Sequence, residues 1–439
     1  MIFQKPKHNI PKNILRIHKI LKREGILGNY GPRVNFPDEP QFYQYACQRP
    51  PGKKKGRWAF GYGCDEKEDK ALTIAIFEAI EHYCILYEKD NQFIKDSFFK
   101  LKNNAINPYR FVPFSEKQLQ QRSYYKFRIN DHTVLNWLPG YSLTHKKPVL
   151  IPASLVYANY NCKAHNEPII QLKNSTGAAC GSTLEFALYR GISEIIERHG
   201  YMYSFVHNIQ KPVIDIQNNT NLTVFKRRIE RYALEIYFLN TTINSPVVSI
   251  TAILLDKTGS GPAVCTGLGG SLNIEHAIHT AGIEAVRRHI SARDRFFRTK
   301  PLPMPEKYSF DWYLLEKQRY WSLPNAIQKA ETFLCGKKQS YDTIPQTIYP
   351  NNDQDRVNML VEDMKKKNYE ILYVDTTVEA VKQLGLHVVK VLIPELIPLW
   401  RDERYPYLKY ANPDAQEFYK NHQTNDNYQT QSLFSMHPF

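Results

Sequence analysis

The fold of this chain is decided by residues 176–200, which read TGAACGSTLEFALYRGISEIIERHG. The small, glycine-rich opening is followed by Ser182 and, three residues later, by Glu185, which is the pattern of a capping box at the start of a helix. Further along, Glu194 and Glu197 stand three residues apart, so both carboxylates project from one face of that helix. The stretch therefore predicts a glycine turn followed by a helix that carries paired carboxylates.

The same design occurs at two other places in the chain. Each time a glutamate lies at a matching depth behind glycines and a helix-capping residue: Glu78 is 13 residues past Asp65, Glu194 is 12 past Ser182, and Glu284 is 13 past Ser271. The intervals between these glutamates, 116 and 90 residues, are too unequal for a solenoid of stacked repeats. We therefore expect three similar glycine-turn–helix units around a common centre.

The rest of the chain alternates between helical and β-rich patterns. Hydrophobic periodicity predicts helices at 66–86, 183–200, 273–292 and 355–367, and strands at 148–151, 247–255, 370–375 and 387–393. Gly385 is expected to stop a short helix before the last of these strands. Helices and strands mixed in this way predict an α+β (mixed α/β) architecture.

Composition predicts three parts of the chain. Residues 1–45 are interpreted as a basic N-terminal extension, in which Pro11 opens a short amphipathic helix that either covers the core or docks a partner. Residues 46–410 are interpreted as one domain, because no linker rich in proline, glycine or serine interrupts them. Residues 411–439 are interpreted as a polar, flexible tail that ends in His437-Pro438-Phe439.

Charge and cysteine content narrow the classes of protein. The chain has 58 Lys and Arg against 43 Asp and Glu, a net charge of +15 that suits a nucleotide, a nucleic acid or an acidic peptide without choosing among them. Its seven cysteines are odd in number and never spaced C-x-x-C, so neither a disulfide framework nor a cysteine zinc site is expected. No apolar run approaches the roughly 18–20 residues of a membrane helix. We expect a cytoplasmic protein without a membrane partner.

The paired glutamates are candidate metal ligands, namely Glu78, Glu81, Glu194 and Glu197. Carboxylates brought together repel one another unless cations lie among them, and Mg2+ prefers oxygen ligands and bridges carboxylates to nucleotide phosphates. The same helices carry arginines that are suited to paired hydrogen bonds with phosphate oxygens: Arg190, Arg198, Arg287 and Arg288. The alternative, glutamates on an ordinary solvated helix face, stays open on spacing alone.

Three motifs resemble the YcaO family. Residues 74–82 (IAIFEAIEH) match its first motif, a helix with S-A-x-x-E-x-x-E-R. Residues 176–181, Ala187 and residues 194–198 match its second motif, T-G-x-A-x-G followed by E-x-x-E-R. Its third motif is matched by Gly269, Ala277, Ala281 and Glu284. The late strand 388–393 with Pro394 is similar to the closing strand of the family. The resemblance covers about residues 56–400, and its second motif is the most specific part.

The resemblance implies an enzyme that uses ATP and Mg2+ to activate a peptide-backbone amide. In such enzymes a nucleophile adds to the amide carbonyl, ATP phosphorylates the oxygen, and loss of phosphate gives an azoline, a thioamide or an amidine. We expect cyclodehydration of Cys, Ser or Thr in a ribosomally made precursor peptide, with a separate leader-recognition partner and with a homodimer left open. In that case the four paired glutamates hold Mg2+, and ATP is bound by Arg190, Arg198, Glu284, Arg287 and Arg288.

The chain also departs from the family pattern. Ile74 stands where the family has Ser, His82 where it has Arg, and Tyr62 where a Lys between the glycines is common. Each glutamate is kept, but these departures put ATP contacts around the first helix in doubt. The C-terminal carboxylate of Phe439 is a candidate catalytic base by resemblance to cyclodehydratases that end near a proline.

Two other functions remain open from the sequence. One is a catalytically weakened scaffold that binds a peptide or a partner enzyme. The other is an RNA- or ribosome-associated factor, suggested by the net charge and by Lys53-Lys54-Lys55, although no recognition motif interleaves aromatic and basic residues. A P-loop enzyme is excluded, because no Gly-x-x-x-x-Gly-Lys-Ser/Thr occurs. Cys180, just before a helix, is kept as an alternative nucleophile.

Overall fold

A computed structural model describes residues 11–49, 61–86, 93–207, 209–298, 321–346, 349–400, 402 and 405–411. The predicted base Phe439, most of the predicted tail and the cluster Lys53-Lys54-Lys55 lie outside these residues. Within them, no helix is both long enough and apolar enough to cross a membrane.

The helices predicted from hydrophobic periodicity lie close to their expected positions. Their bounds are α1 Lys12–Arg23, α2 Glu68–Leu86, α3 Phe98–Leu101, α4 Glu116–Gln120, α5 Ala153–Val156, α6 Leu184–Val206, α7 Thr220–Glu230, α8 Ile274–Arg298, α9 Ala326–Thr332, α10 Asp353–Lys366 and α11 Glu379–Lys382. Gly385 has a φ of +70°, the left-handed conformation that ends a helix, and it follows α11 as the sequence predicts.

The strands also include those that were predicted. Their bounds are β1 Tyr30–Pro32, β2 Tyr43–Cys47, β3 Gly61–Asp65, β4 Ile94–Ser97, β5 Val134–Ser142, β6 Lys147–Pro152, β7 Ala178–Gly181, β8 Val213–Asp215, β9 Leu234–Asn240, β10 Val248–Asp256, β11 Val264–Ser271, β12 Lys338–Ser340, β13 Leu372–Asp375 and β14 His387–Leu392. The predicted mixed α/β fold class is therefore confirmed.

The chain divides into two compact units. The first is built from Met1–Val34, Phe42–Ile195 and Pro350–Leu396, and the second from Asn35–Gln41, Ile196–Tyr349 and Ile397–Phe439. The grouping by contacts differs from the predicted parts 1–45, 46–410 and 411–439, which stay a prediction.

The first unit contains two sheets. One has the order β1-β2-β3 and is antiparallel throughout, and the other has the order β4-β5-β13-β14-β7 with β6 paired to β5. Strand β14 runs antiparallel to both of its neighbours and aligns Lys390 with Ala178 of β7. These pairings place β14 beside the glycine-rich residues at the start of the 176–200 stretch.

The core of the first unit forms around α2. Its apolar residues, including Leu72, Ile76 and Ile80, are fully buried and pack in one cluster with Ile14 and Leu21 of α1. Fully burying such a side chain is worth roughly 1.5–3 kcal/mol each. Helix α1 thus covers the core, while its remaining face carries basic residues; whether that face docks a partner stays open.

The second unit is built on one sheet, β11-β10-β9-β8-β12, in which β8 and β12 are parallel and the other pairs are antiparallel. Every residue of β10 is buried, because this strand lies between β9 and β11 and is covered by α8. Its apolar run, ITAILL at 250–255, reads as a strand buried on both faces.

Candidate functional site

The glycines that were predicted to form turns lie in strands instead. Gly63 is in the middle of β3 and Gly269 is near the end of β11. A Cβ at Gly63 would lie 1.8 Å from the carbonyl oxygen of Ala71 in α2, and one at Gly269 would lie 2.0 Å from that of Ala277 in α8. The glycine-turn prediction was wrong in this detail: the glycines are needed because each strand lies directly against the backbone of the helix that follows it.

The residues that begin these helices also differ from those predicted. In α6 the hydroxyl of Thr183, not Ser182, accepts a hydrogen bond from the N–H of Phe186 at 3.1 Å. In α8 the side chain of Asn273, not Ser271, accepts from the N–H of His276 at 2.9 Å. The helices begin two or three residues beyond the predicted caps because the strands continue through the positions where turns were expected.

The recurring glutamates make the same contact in all three strand–helix pairs. Glu78 accepts a hydrogen bond from the backbone N–H of Tyr62 at 2.6 Å, Glu194 from that of Gly177 at 2.8 Å, and Glu284 from that of Leu268 at 2.7 Å. The equal depth of these glutamates in the sequence thus corresponds to one repeated local geometry. Whether the three units surround one centre stays a prediction.

The first unit brings together three of the predicted metal ligands. We call Glu78, Glu81 and Glu194 the carboxylate cluster. Burial raises the pKa of Glu81 well above its usual value, and the negative charges of Glu194 and Glu78 raise it further, while Lys390 and Arg190 oppose the rise. Two helices, α2 and α6, therefore place three of the four predicted carboxylates close enough to repel one another.

Arg190 and Lys390 supply the positive charge beside this cluster. Arg190, predicted to bind ATP, is exposed on α6 and acts on Glu81 through its charge. Lys390 was missed by the sequence analysis, although a lysine inside an apolar strand was a visible signal. It is 2% exposed, and burial lowers its pKa to about 8 against the opposing effect of Glu194 and Glu81.

The second unit contains a cluster of opposite sign. We call Arg198, Arg287 and Arg288, with Glu284 between them, the arginine cluster. The Oε1 atom of Glu284 accepts hydrogen bonds from Arg288 at 3.0 Å and from Arg287 at 3.5 Å. Burial alone would raise the pKa of Glu284, but Arg288, Arg198 and Arg287 outweigh it and lower the pKa to about 2. These predicted ATP-binding residues are brought together.

Glu197, the fourth predicted metal ligand, is placed differently from the other three. It belongs to the second unit, is 8% exposed, and accepts a hydrogen bond from the Nε of Arg198 at 2.9 Å. The structure thus shows Glu197 engaged with an arginine of the arginine cluster, and its role as a metal ligand stays a prediction.

The donor set of the first unit fits Mg2+. Among the described residues, no three side chains of His, Cys, Asp or Glu form a ready-made metal cage. Mg2+ needs no such cage, because it keeps several waters and is usually bound by one or two carboxylates together with substrate phosphates. Burial raises the pKa of Glu81 and the neighbouring carboxylates add to the rise, so the cluster is suited to such an ion.

Cys180 does not have the environment of a nucleophile. Burial raises the pKa of its thiol well above the usual value, and the nearby charge of Glu81 raises it further. Reactive cysteines need the opposite, an electropositive environment that stabilises the thiolate. Cys180 lies in β7, and its neighbourhood favours a packing role.

Comparisons with known proteins agree with this geometry. Residues 61–397 match the family model described as YcaO cyclodehydratase, ATP- and Mg2+-binding. An uncharacterised protein from Methanothermobacter thermautotrophicus is 21% identical over 276 residues, which cover 60% of this chain and 65% of that protein.

Solved structures share the fold. A heterocyclase in complex with substrate and cofactor has a TM-score of 0.73 at 19% identity, covering 91% of this chain, although the chain spans only 54% of that protein. YcaO from Methanopyrus kandleri, bound with AMPPCP and Mg2+, has a TM-score of 0.64 at 16% identity, with 90% and 95% of the two chains covered. The Escherichia coli microcin synthetase McbBCD complex with pro-MccB17 has a TM-score of 0.60 at 12% identity, with 84% and 88% covered.

Proposed function

Because this chain belongs to the YcaO family of ATP- and Mg2+-binding proteins, we propose that it activates a peptide-backbone amide in a ribosomally made precursor peptide. The reaction that we propose is cyclodehydration of Cys, Ser or Thr to an azoline. The observation that carries the proposal is the carboxylate cluster, in which burial and then the charges of Glu194 and Glu78 raise the pKa of Glu81. An arrangement that is unfavourable without a cation is expected where a metal–nucleotide complex binds.

The carboxylate cluster would hold Mg2+ on residues that are already oriented. Glu78 is fixed by a hydrogen bond from the N–H of Tyr62 in β3 and Glu194 by one from the N–H of Gly177 in the turn before β7, to Oε2 in both cases, so their carboxylates keep one position on the helix. Glu81 is one turn further along α2 from Glu78. Bound ATP supplies the phosphoryl group that turns the amide oxygen into a leaving group, and the protein contributes mainly position and charge.

The arginine cluster would bind phosphate oxygens. Glu284 holds Arg287 and Arg288 by hydrogen bonds and is itself fixed by the N–H of Leu268, so the two guanidinium groups are oriented before any ligand arrives. Three arginines beside two glutamates, Glu284 and Glu197, leave a net positive charge, which suits an anion. Glu284 therefore acts as the residue that organises the arginines, a more specific role than the predicted contact with ATP.

The departures of the first motif leave its glutamate contact intact. The bond to Glu78 comes from the backbone N–H of Tyr62, so the replacement of the usual residue there does not remove it. Ile74 is 43% exposed on α2. This geometry favours an active enzyme over a degraded relative. The base proposed at Phe439 lies outside the described residues and rests on the resemblance alone.

We propose that the chain works with other proteins. One similar structure is a microcin synthetase complex of several subunits with a precursor bound, which supports a precursor peptide and a separate recognition partner here. Nucleic acid is not a proposed partner, and a homodimer is left open. A cytoplasmic location stays proposed from the cysteines, which are odd in number and never spaced C-x-x-C.

Mass spectrometry of a candidate precursor peptide tests the proposal. The full chain is incubated with the peptide, its recognition partner, ATP and Mg2+, with the Glu81→Gln variant as a matched inactive control. We expect the loss of one water per ring formed, dependent on ATP and Mg2+. Exchange of oxygen for sulfur would replace the azoline by a thioamide product. An unchanged peptide that still binds the folded chain, without ATP turnover, would contradict the enzyme and favour the scaffold.

A further inference from the structure

Lys390 is a buried cation whose position the proposed chemistry does not explain. It lies in β14 between Val389 and Val391, both fully buried, and is itself 2% exposed. Removing an ammonium group from water is costly unless charges and hydrogen bonds compensate for it. A residue with a structural role only would ordinarily be apolar at such a strand position.

The ammonium group of Lys390 is held at a fixed place. Its Nζ donates hydrogen bonds to the carbonyl oxygens of Thr176 at 2.5 Å and of Asn174 at 3.2 Å. The next residue, Val391, donates its N–H to the carbonyl of Gly177 at 2.7 Å. Lys390 therefore cannot move away from the loop whose Gly177 N–H binds Glu194.

The charge of Lys390 acts on two members of the carboxylate cluster, Glu81 and Glu194, which lie on different helices. Arg190 also acts on Glu81, but it is exposed and its effect is screened by solvent. Lys390 is thus the buried cation of this neighbourhood among the residues that the structure describes. It offsets part of the repulsion that a metal ion would otherwise have to relieve.

We propose that Lys390 is a resident cation that keeps the carboxylate cluster assembled without metal and makes Mg2+ binding depend on nucleotide. This inference rests on the proposed function, in which the cluster is the Mg2+ site. With one positive charge already in place, the cluster attracts free Mg2+ only weakly. The phosphates of ATP restore negative charge, so metal and nucleotide bind together and the cluster is not filled by metal alone.

Thermal unfolding of the full chain tests this inference without relying on activity. Lys390→Met removes the charge and the hydrogen bonds, whereas Lys390→Gln removes the charge and keeps an N–H donor. Lys367→Met is the matched control, because Lys367 is a half-buried lysine of the same unit that binds Asp363 at 2.6 Å. Each protein is measured in chelator, with Mg2+ alone, with a non-hydrolysable ATP analogue alone, and with both.

For the wild type we expect a clear rise in melting temperature with Mg2+ and analogue together and little change with Mg2+ alone. Both Lys390 variants should melt a few degrees lower in chelator, and Mg2+ alone should restore them. Their apparent affinity for Mg2+ without nucleotide should rise by about tenfold or more, because one positive charge has been removed near the ion. Lys367→Met should behave as the wild type does.

Three outcomes would overturn the inference. If both Lys390 variants respond to Mg2+ alone as the wild type does, or less, Lys390 is not a resident cation. If Lys390→Met changes and Lys390→Gln does not, the residue only supports the 174–177 loop. If the wild type shows no stabilisation by Mg2+ and analogue together, the proposed function fails, and the inference fails with it.

Discussion

The carboxylate cluster and the arginine cluster use one local framework with opposite charge. In both, a strand lies against the following helix through glycines, and a helix glutamate accepts a hydrogen bond from a strand N–H. Yet the pKa of Glu81 is raised by burial and by neighbouring glutamates, whereas that of Glu284 is lowered to about 2, because the charges of three arginines outweigh its burial.

The contrast shows that the framework does not determine which charges gather around it. The two clusters differ in the residue three positions after the glutamate that accepts the strand N–H. This residue is Glu81 after Glu78, and it is Arg287 after Glu284. The carboxylate of Glu81 adds to the repulsion and suits a cation, whereas the guanidinium group of Arg287 forms an ion pair with Glu284 and suits a phosphate. The same fold unit thus carries clusters of opposite charge.

The largest expected effect concerns the shared framework itself. Gly63→Ala and Gly269→Ala should each lower the free energy of unfolding by about 3 kcal/mol or more, because the added Cβ would overlap a helix carbonyl. Soluble yield and thermal melting of the full chain measure this. Tyr62→Ala, between the glycines of β3 and 47% exposed, is the control and should change stability by no more than about 0.5 kcal/mol. If one glycine tolerates Ala and the other does not, the framework is not shared.

The next largest effect concerns substitutions in the carboxylate cluster. Glu81→Gln and Glu194→Gln should each lower Mg2+-dependent ATP turnover by about 100-fold or more, because each removes a charge that orients the metal–nucleotide complex. In chelator, Glu81→Gln should melt higher than the wild type, since it relieves repulsion. Glu379→Gln, an exposed glutamate of the same unit, serves as the control. If either cluster variant kept the full rate of ATP turnover, the carboxylate cluster would have no role in the mechanism.

A smaller effect appears on the arginine side as a dependence on pH. The pKa of Glu284 falls from an ordinary 4.5 to about 2 in the folded protein, so its contribution is present above pH 4.5 and is lost as the pH falls toward 2. The shift corresponds to about 3 kcal/mol. Glu284→Gln should therefore lower the free energy of unfolding by about that amount near neutral pH, and the difference from the wild type should shrink in acid.

Urea-induced unfolding of the full chain at several pH values measures this difference. Glu275→Gln is the matched control, because Glu275 lies on the same helix but accepts hydrogen bonds from the amides of Asn221 and Asn219 rather than from an arginine. A difference between wild type and Glu284→Gln that is independent of pH would contradict the ion-pair account.

The smallest expected effect separates the two clusters by kinetics. Arg288→Lys keeps the charge and loses the planar fork, so it should raise the KM for ATP by about tenfold or less, roughly 1 kcal/mol, with the Mg2+ requirement unchanged. Steady-state ATP turnover at varied ATP and Mg2+ measures both quantities, with Arg231→Lys, exposed at the end of α7, as the control. A shift in Mg2+ dependence instead would show that the clusters do not act separately.

Much of the fold followed from local pattern. The strand predicted at 247–255 is β10 at 248–256, and the helix predicted at 355–367 is α10 at 353–366, because long periodic segments are decided by their own hydrophobic pattern. The prediction of glycine turns was wrong. Glycine in a sequence is usually interpreted as a turn former, whereas here it allows a strand to approach the backbone of the following helix, which is a tertiary contact.

The sequence by itself determined the family, the mixed α/β class and the glutamates at matching depth, since these depend on residue identity and on spacing along one helix or strand. Only the tertiary structure decided which charges meet. It set Lys390 of β14 beside Glu81 of α2 and Glu194 of α6, residues that are hundreds of positions apart or lie on separate helices. Electrostatic energy depends on distance in space and on burial, and neither quantity follows from the spacing of residues along one helix or strand.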